Sequence, residues 1–345
     1  MRVRRILYGC VASVAGIVVA FGLAEIATRL VAPQKFAEAW YVYGPNGILV
    51  DRPSSTLRHE IGGRTVSYTF NSKHQRNNEE PDPKAIRILI LGDSFTLGIG
   101  LALAETYVGL LQRQLDARAG MGRLQLLNAA TGGWGTADQL TYLEAFGDDL
   151  KLSAVVVFVN FDDLWRSVER DVFVVSDDGR KLTSVDRSSR KNFLKVTLQN
   201  NRLYGFFLEY SQFVRLLRQA TRHLGVGVVN TPSRTALDQS ERLVEETMAR
   251  LLFRRMAAWC AARNVQLTVL TTGWPSLDYP RLPAMMREEG IYFRDLRSRV
   301  ADVMGGNPEA FEIADDGHPN ARGARLIGDA AWPILQERLG GLRQR

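Results

Sequence analysis

Ala154-Val155-Val156-Val157-Phe158-Val159 is a short, continuous apolar run rich in β-branched residues. Such a run has no polar face to offer water, so it fits a strand covered on both sides, as strands of parallel sheets are. Ile88-Leu89-Ile90-Leu91 has the same character, and Leu124-Gln125-Leu126-Leu127-Asn128 and Val265-Gln266-Leu267-Thr268-Val269-Leu270 supply two further strands. Between them lie segments with helical spacing: from Glu105 through Leu110, Leu111 and Leu115 to near Gly120, then residues 137–146, then residues 243–263. A short element at Ile291-Tyr292-Phe293 and a final helix over residues 321–339 complete the series. Strands alternating with helices predict a central parallel sheet with helices on both faces, a flavodoxin-like three-layer α/β/α domain.

The segments around this pattern divide the chain. Met1-Arg2-Val3-Arg4-Arg5 is basic, and residues 6–24 then carry no charge. That is about the 20 residues needed to cross a hydrocarbon core. Basic residues before the span and a long polar chain after it predict a single-pass helix, with the remainder in the periplasm or outside the cell. Gly22-Leu23-Ala24 also suits cleavage of a signal peptide. The apolar pattern continues as Ile26, Leu30 and Val31 around Glu25 and Arg29, which favours an uncleaved anchor. The expected organisation is an anchor at 1–32, an approach segment at 33–83 and the α/β domain at 84–345.

In the approach segment, Val66, Tyr68 and Phe70 alternate after Gly62-Gly63, which predicts a hairpin with residues 56–59. An insertion at about 165–240 separates the third and fourth strands. It holds a hairpin turning at Asp177-Asp178-Gly179 and an amphipathic stretch from Leu203 to Leu224, and reads as a lid over the strand ends. The net charge of +7 comes mostly from scattered Arg, without an aromatic-interleaved basic stripe, so nucleic acid is not an expected partner. The two cysteines, Cys10 in the span and Cys260 in a helical pattern, form no disulfide framework.

Several polar turns follow the strands. Gly92-Asp93-Ser94-Phe95 follows the first, Thr131-Gly132-Gly133-Trp134-Gly135 the second, and Asn160-Phe161-Asp162-Asp163 the third; Asp315-Asp316-Gly317-His318-Pro319-Asn320 opens the last helix. A serine at the carboxyl end of a buried strand, just ahead of a helix, stands where open α/β sheets place ligands. A serine there also simply caps a turn. No His, Cys or carboxylate cluster has metal-ligand spacing, so neither a metal nor a cofactor is expected. His59 and His74 lie in the approach segment and His223 ends an amphipathic stretch, which leaves His318 as the histidine beside acidic residues and before a helix.

The order and separation of these blocks resemble the GDSL-type or SGNH hydrolase superfamily, marked by a GDS turn, a glycine, a G-x-N-D turn and a D-x-x-H-P run. The resemblance covers residues 87–338 and implies a Ser-His-Asp site that cleaves esters through an acyl-enzyme. Ser94 would be the nucleophile, His318 the general base and Asp315 the acid that orients it, with Asp316 a competitor that the D-x-x-H spacing disfavours. The Ser94 and Gly133 amides would form the oxyanion hole. At the G-x-N-D block the chain departs from the family, because Asp162 stands where an Asn amide donor is expected. A carboxylate is acceptor-only when ionised. Either Asp162 holds a proton, Asn160 substitutes, or the third donor is weakened. The implied partner is an ester substrate, an acylated glycan or lipid among them, and the N-terminal helix makes the membrane a second partner. An O-acyltransferase or deacetylase of envelope polysaccharide and a non-catalytic binding module are the alternative readings.

Overall fold

The computed structural model describes residues 2–34, 40–118, 124–160, 162–185, 193–223, 239–275 and 280–342. Gly120, Phe161 and Leu224, which bound or fall within expected elements, lie outside these residues. In chain order the elements are α1 (Arg2–Val31), β1 (Tyr41–Tyr43), β2 (Leu49–Asp51), β3 (Ser55–Ile61), β4 (Arg64–Phe70), β5 (Ile86–Leu91), α2 (Ser94–Leu97), α3 (Tyr107–Asp116), β6 (Leu124–Asn128), α4 (Thr136–Leu150) and β7 (Ala154–Val159). There follow α5 (Asp163–Glu169), β8 (Phe173–Val175), β9 (Leu182–Ser184), α6 (Phe193–Asn200), α7 (Arg202–Tyr210), α8 (Gln212–His223), α9 (Gln239–Ala262), β10 (Gln266–Thr271), α10 (Leu282–Glu288), β11 (Phe293–Arg294), α11 (Arg297–Met304) and α12 (Ala321–Leu339). Met1–Ala39 with Leu198–Arg234 make one compact unit, and Trp40–Thr197 with Thr235–Arg345 make the other.

The larger unit is organised by a parallel sheet in the order β11-β10-β7-β5-β6. Counting only these strands along the chain, the order is 2-1-3-4-5, the flavodoxin-like arrangement. The pleat divides each central strand between two cores. Leu89, Leu91, Val155, Val157 and Val159 enter one core with Leu140 and Leu143 of α4, Leu164 of α5 and Leu252, Phe253 and Met256 of α9. Ile88, Ile90, Val156 and Phe158 enter the other with Leu111 and Leu115 of α3, Val300 of α11 and Ile327, Ala331 and Leu335 of α12. Each such side chain contributes about 1.5–3 kcal/mol on burial, which is why the strands carry no polar alternation. The chain leaves β5 toward β6 and leaves β7 toward β10, on opposite sides of the sheet. Between β5 and β7 lies the switch point where open sheets form a crevice.

The β3–β4 hairpin forms over the expected residues, pairing Leu57 with Tyr68 and His59 with Val66. Together with Trp40, Leu57, Val66, Tyr68 and Phe70 pack against Leu97, the last residue of α2, and Ala130, from the loop after β6. The hairpin in the insertion also forms, pairing Phe173 with Ser184. The short β1–β2 pair, α5, α10 and α11 were not expected from periodicity; each is too brief to show it.

In the smaller unit the amphipathic stretch from Leu203 is two helices rather than one. Arg215 explains the break: its Nε donates to the Leu208 carbonyl at 2.8 Å and its Nη1 to the Gln34 carbonyl at 3.2 Å. The guanidinium thereby satisfies a carbonyl that α7 would otherwise have to pair within a longer helix.

Candidate active site

Ser94 opens α2 directly after β5. Asp93 is its N-cap, and Asp93 Oδ1 accepts from the Phe95 amide at 2.9 Å. The Ser94 amide is in the first turn, where helices leave N–H groups without an intrahelical acceptor. The turn admits only glycine at 92, because a Cβ there would stand 2.0 Å from Thr96 Oγ1. Its far side is held by Arg76, a fully buried guanidinium whose Nη1 donates to the Leu97 carbonyl at 2.5 Å and the Gly98 carbonyl at 2.7 Å. The Tyr68 ring lies 4.2 Å from that guanidinium. Thus the approach segment fixes the loop that carries the serine.

His318 is presented by a closed loop. The Ile313 amide donates to the His318 carbonyl at 2.8 Å, the Asn320 amide donates to the Phe311 carbonyl at 2.8 Å, and Asn320 caps α12 through the Arg322 and Gly323 amides. Within this loop His318 Nδ1 pairs with Asp316 Oδ1. The carboxylate that pairs with the histidine ring is therefore Asp316 and not the expected Asp315. The reason is local: Asp315 adopts φ +59°, a left-handed turn that Asp tolerates, and its side chain is exposed. The carboxylate one residue on lies beside the ring. Asp316 and His318 side chains remain 29% and 22% exposed. The hydrogen bond from His318 holds the Asp316 carboxyl below its ordinary range, with the His59 side chain adding to the effect.

The His318 ring packs against Phe95 with centroids 5.4 Å apart, and Phe95 in turn meets Trp274 edge-on at 5.4 Å. Trp274 Nε1 donates to Glu312 Oε1 at 3.1 Å, tying this stack to the histidine loop. The residue after the serine is thus the seat of the histidine. Among the described residues no hydrogen bond joins Ser94 Oγ to His318.

The turn that carries Gly133 rests on β2 and α5. Asp51 and Leu49 hold the turn after β6: Thr131 Oγ1 donates to Asp51 Oδ2 at 2.9 Å and Trp134 Nε1 to the Leu49 carbonyl at 2.5 Å. Gly133 takes φ +72°, and a Cβ there would lie 3.2 Å from Arg170 Nη2. Asn160, the expected alternative donor, is tied to two buried partners. It is wholly buried, its Nδ2 donates to Asp93 Oδ2 at 3.0 Å, and its Oδ1 accepts from Thr272 Oγ1 at 3.0 Å.

Asp93, Asp162 and Asp163 bring carboxylate oxygens within 4.8 Å of one another, all buried. The cation among them is Arg166, whose Nη2 pairs with Asp162 Oδ2 and whose Nη1 lies 3.5 Å from Asp93 Oδ2 and 3.4 Å from the Trp134 carbonyl. A metal ion would compete with that guanidinium. Burial pushes the Asp162 carboxyl up to about 6; Arg166 opposes the shift and Asp93 adds to it. Burial, then Asp93 and Asp162, push Asp163 well above the carboxylate range. Burial would lower Arg166, but Asp93, Asp162, Asp163 and Asp138 outweigh it and hold the guanidinium above its ordinary value. Arg166 was not singled out from sequence, although its place four residues after Asp162 is the spacing of a helical ion pair.

Residues 90–326 match the model of the GDSL-like Lipase/Acylhydrolase family. No curated protein sequence matches the chain significantly. Solved structures similar to it include TesA, at 16% identity and TM-score 0.40 over 73% of this chain and 98% of that one. The psychrotrophic esterase EstA from Pseudoalteromonas sp. matches at 16% identity and TM-score 0.40, over 74% of this chain and 100% of that one. A catalytic mutant of Axe2, an acetylxylan esterase from Geobacillus stearothermophilus, matches at 16% identity and TM-score 0.40, over 77% and 100%.

Proposed function

The chain belongs to the GDSL-like lipase/acylhydrolase family and is an ester-hydrolysing enzyme, and on that premise we propose that it works as a serine esterase through Ser94, His318 and Asp316. The observation that carries this reading is the His318–Asp316 pair seated on the ring of Phe95, the neighbour of Ser94. Ser94 Oγ attacks the ester carbonyl while His318 Nε2 takes its proton. Asp316 holds Nδ1, fixes the tautomer and stabilises the imidazolium. Hydrogen bonds between such groups often tighten only when substrate is bound.

Negative charge then develops on the carbonyl oxygen, facing the Ser94 and Gly133 amides. The tetrahedral intermediate collapses, His318 returns the proton to the departing alcohol, and the acyl group stays on Ser94. Water attacks that acyl carbonyl with His318 again as base. The acid is released and Ser94 Oγ recovers its proton. In place of the family's Asn amide stands the Asp162–Arg166 pair. With Asp162 ionised, the pair is neutral overall and does not repel the oxyanion as a lone carboxylate would.

The same reading places the enzyme on a membrane through α1. Residues Arg4–Val31 are long and apolar enough to cross a bilayer, and their most apolar window has no buried residue. Phe21 and Glu25, on either side of Ala24, both pack onto α7 and α8; this supports an uncleaved helix. Fluorophosphonate labelling of the full chain tests the nucleophile. Covalent labelling that disappears in Ser94→Ala is expected, and labelling that persists in the variant contradicts the assignment.

A further inference from the structure

The unit made of Met1–Ala39 and Leu198–Arg234 distributes polarity in the reverse of a water-soluble domain. Its buried side chains include Thr28, Glu209, Ser211 and Arg215, each 6% exposed or less. Its outer surface carries Leu30 at 79%, Leu203 at 63%, and Phe206 and Tyr210 at 55%. Isolated exposed apolar residues are ordinary. Polar groups turned inward while large apolar groups turn outward is the pattern of helices whose solvent is lipid.

A polar knot joins the helices. Glu25 accepts from Ser211 Oγ at 2.7 Å and from the Gln212 and Phe213 amides at 3.0 Å each, so a carboxylate on α1 caps the first turn of α8. Arg29 donates to Glu25 Oε1 at 2.7 Å and to the Tyr210 carbonyl at 3.0 Å. Phe21 meets Phe207 and Phe213 edge-on at 5.7 and 5.8 Å. The inner faces of α7 and α8 are therefore committed to α1.

The outer face of α7 is left. Leu203, Phe206 and Tyr210 recur at i, i+3 and i+7, one stripe of a helix, and the last two rings stack at 4.8 Å. The stripe's level is set by α1: residues 6–24 rise about 28 Å at 1.5 Å per residue, roughly the hydrocarbon thickness, so Glu25 and Arg29 arrive at the boundary. Arg29 grips the carbonyl of Tyr210, the end of the stripe.

We propose that α7 and α8 form a membrane foot, with Leu203, Phe206, Tyr210 and Leu217 immersed in the lipid interface beside the carboxyl end of α1. The occupant of this apolar face is the bilayer itself, because Phe21, Glu25 and Arg29 hold α7 and α8 against the carboxyl end of α1, whose Ile26, Leu30 and Val31 are exposed apolar residues. A tyrosine at this level suits the boundary, with an apolar ring and a wet hydroxyl. The inference rests on the reading of α1 as an uncleaved anchor and adds to it that the insertion is a second contact with the membrane.

The test uses the full chain in vesicles of phosphatidylethanolamine and phosphatidylglycerol, in a Cys10→Ala background. Cys260 is buried and its thiol is pushed up to about 12 by that burial, so it stays unlabelled. Spin labels are placed singly at Phe206→Cys, Tyr210→Cys and Leu217→Cys, with Val14→Cys in the span and exposed Asp177→Cys as references. Labels at 206, 210 and 217 are expected to collide with oxygen over a water-soluble nickel chelate at a ratio several-fold above that at 177, toward the value at 14. A lipid-facing label at 14 with nickel-accessible labels at 206 and 210 overturns the foot and leaves the anchor standing. Nickel access at 14 overturns both. Labels at 206 and 210 shielded from both reagents, with dipolar broadening between copies, show that a second chain covers the face and also overturn the proposal.

Discussion

Two groups of carboxylates serve the site around Ser94, and they are built by opposite rules. Asp93, Asp162 and Asp163 are buried together, crowd one another, and share Arg166 as their cation. Asp316 stands apart on a loop, partly exposed, with His318 as its ring partner. In the first group the low-dielectric surroundings make every charge expensive, so the Asp162 and Asp163 carboxyls rise and the arginine is held charged. In the second, one hydrogen bond lowers the carboxyl and leaves the histidine ring reachable. The contrast separates two jobs. A crowded, neutralised cluster holds loops in place, while the base of the proposed mechanism works beside a single paired carboxylate.

The largest effect is expected from removing the group both arrangements serve. Ser94→Ala should lower kcat on a p-nitrophenyl ester by roughly 10⁴–10⁶-fold, with unchanged urea unfolding. Next, Arg166→Met breaks the cluster by leaving three buried carboxyls without their cation, at a cost of about 3–5 kcal/mol of stability. Asp162 and Asp163, which burial already raises, would bind protons in the folded state that the unfolded chain has released, so stability falls as pH rises. The deficit, read from urea midpoints, should be greater at pH 8 than at pH 5, and a pH-independent deficit would break the electrostatic account. Asp162→Asn sharpens it with a smaller effect. Turnover should equal the wild type or rise by up to about 10-fold as an amide donor is restored. The gain should be largest above pH 6, where Asp162 loses its proton. A sharp loss of activity would remove Asp162 from the oxyanion side.

Much of the fold was legible because its strands leave no choice. Residues 154–159 and 88–91 are apolar at every position, and only a sheet covered on both faces accommodates that. The blocks holding Ser94, Gly133 and His318 stood out by their order, and the structure sets the His318 ring on Phe95, the residue after Ser94. The pairing acid was not, because spacing along the chain does not report backbone conformation. One left-handed residue, Asp315, changes which of two adjacent carboxylates faces the histidine. Period-two alternation placed Asn160 on the face of the site, but its hydrogen bond to Asp93, a partner 67 residues away, was not legible. Arg166 carried a local signal in its i+4 relation to Asp162, but its contact with Asp93 is tertiary and lies beyond any window on the sequence. The reversed polarity of the α1–α7–α8 unit was hidden for a similar reason: an amphipathic stripe on α7 reads the same whether its apolar face meets protein or lipid.

The central claim is that Asp316, rather than Asp315, completes the site. The direct measurement is kcat/KM for Asp316→Asn and Asp315→Asn side by side on one p-nitrophenyl ester at pH 8. Asn keeps the shape of each side chain and suits the left-handed backbone at 315. The account predicts a loss of about 10³–10⁴-fold in Asp316→Asn, as expected when the histidine loses its orienting carboxylate, and activity within about 2-fold of wild type in Asp315→Asn, an exposed change with no such partner. The reverse ranking would contradict it.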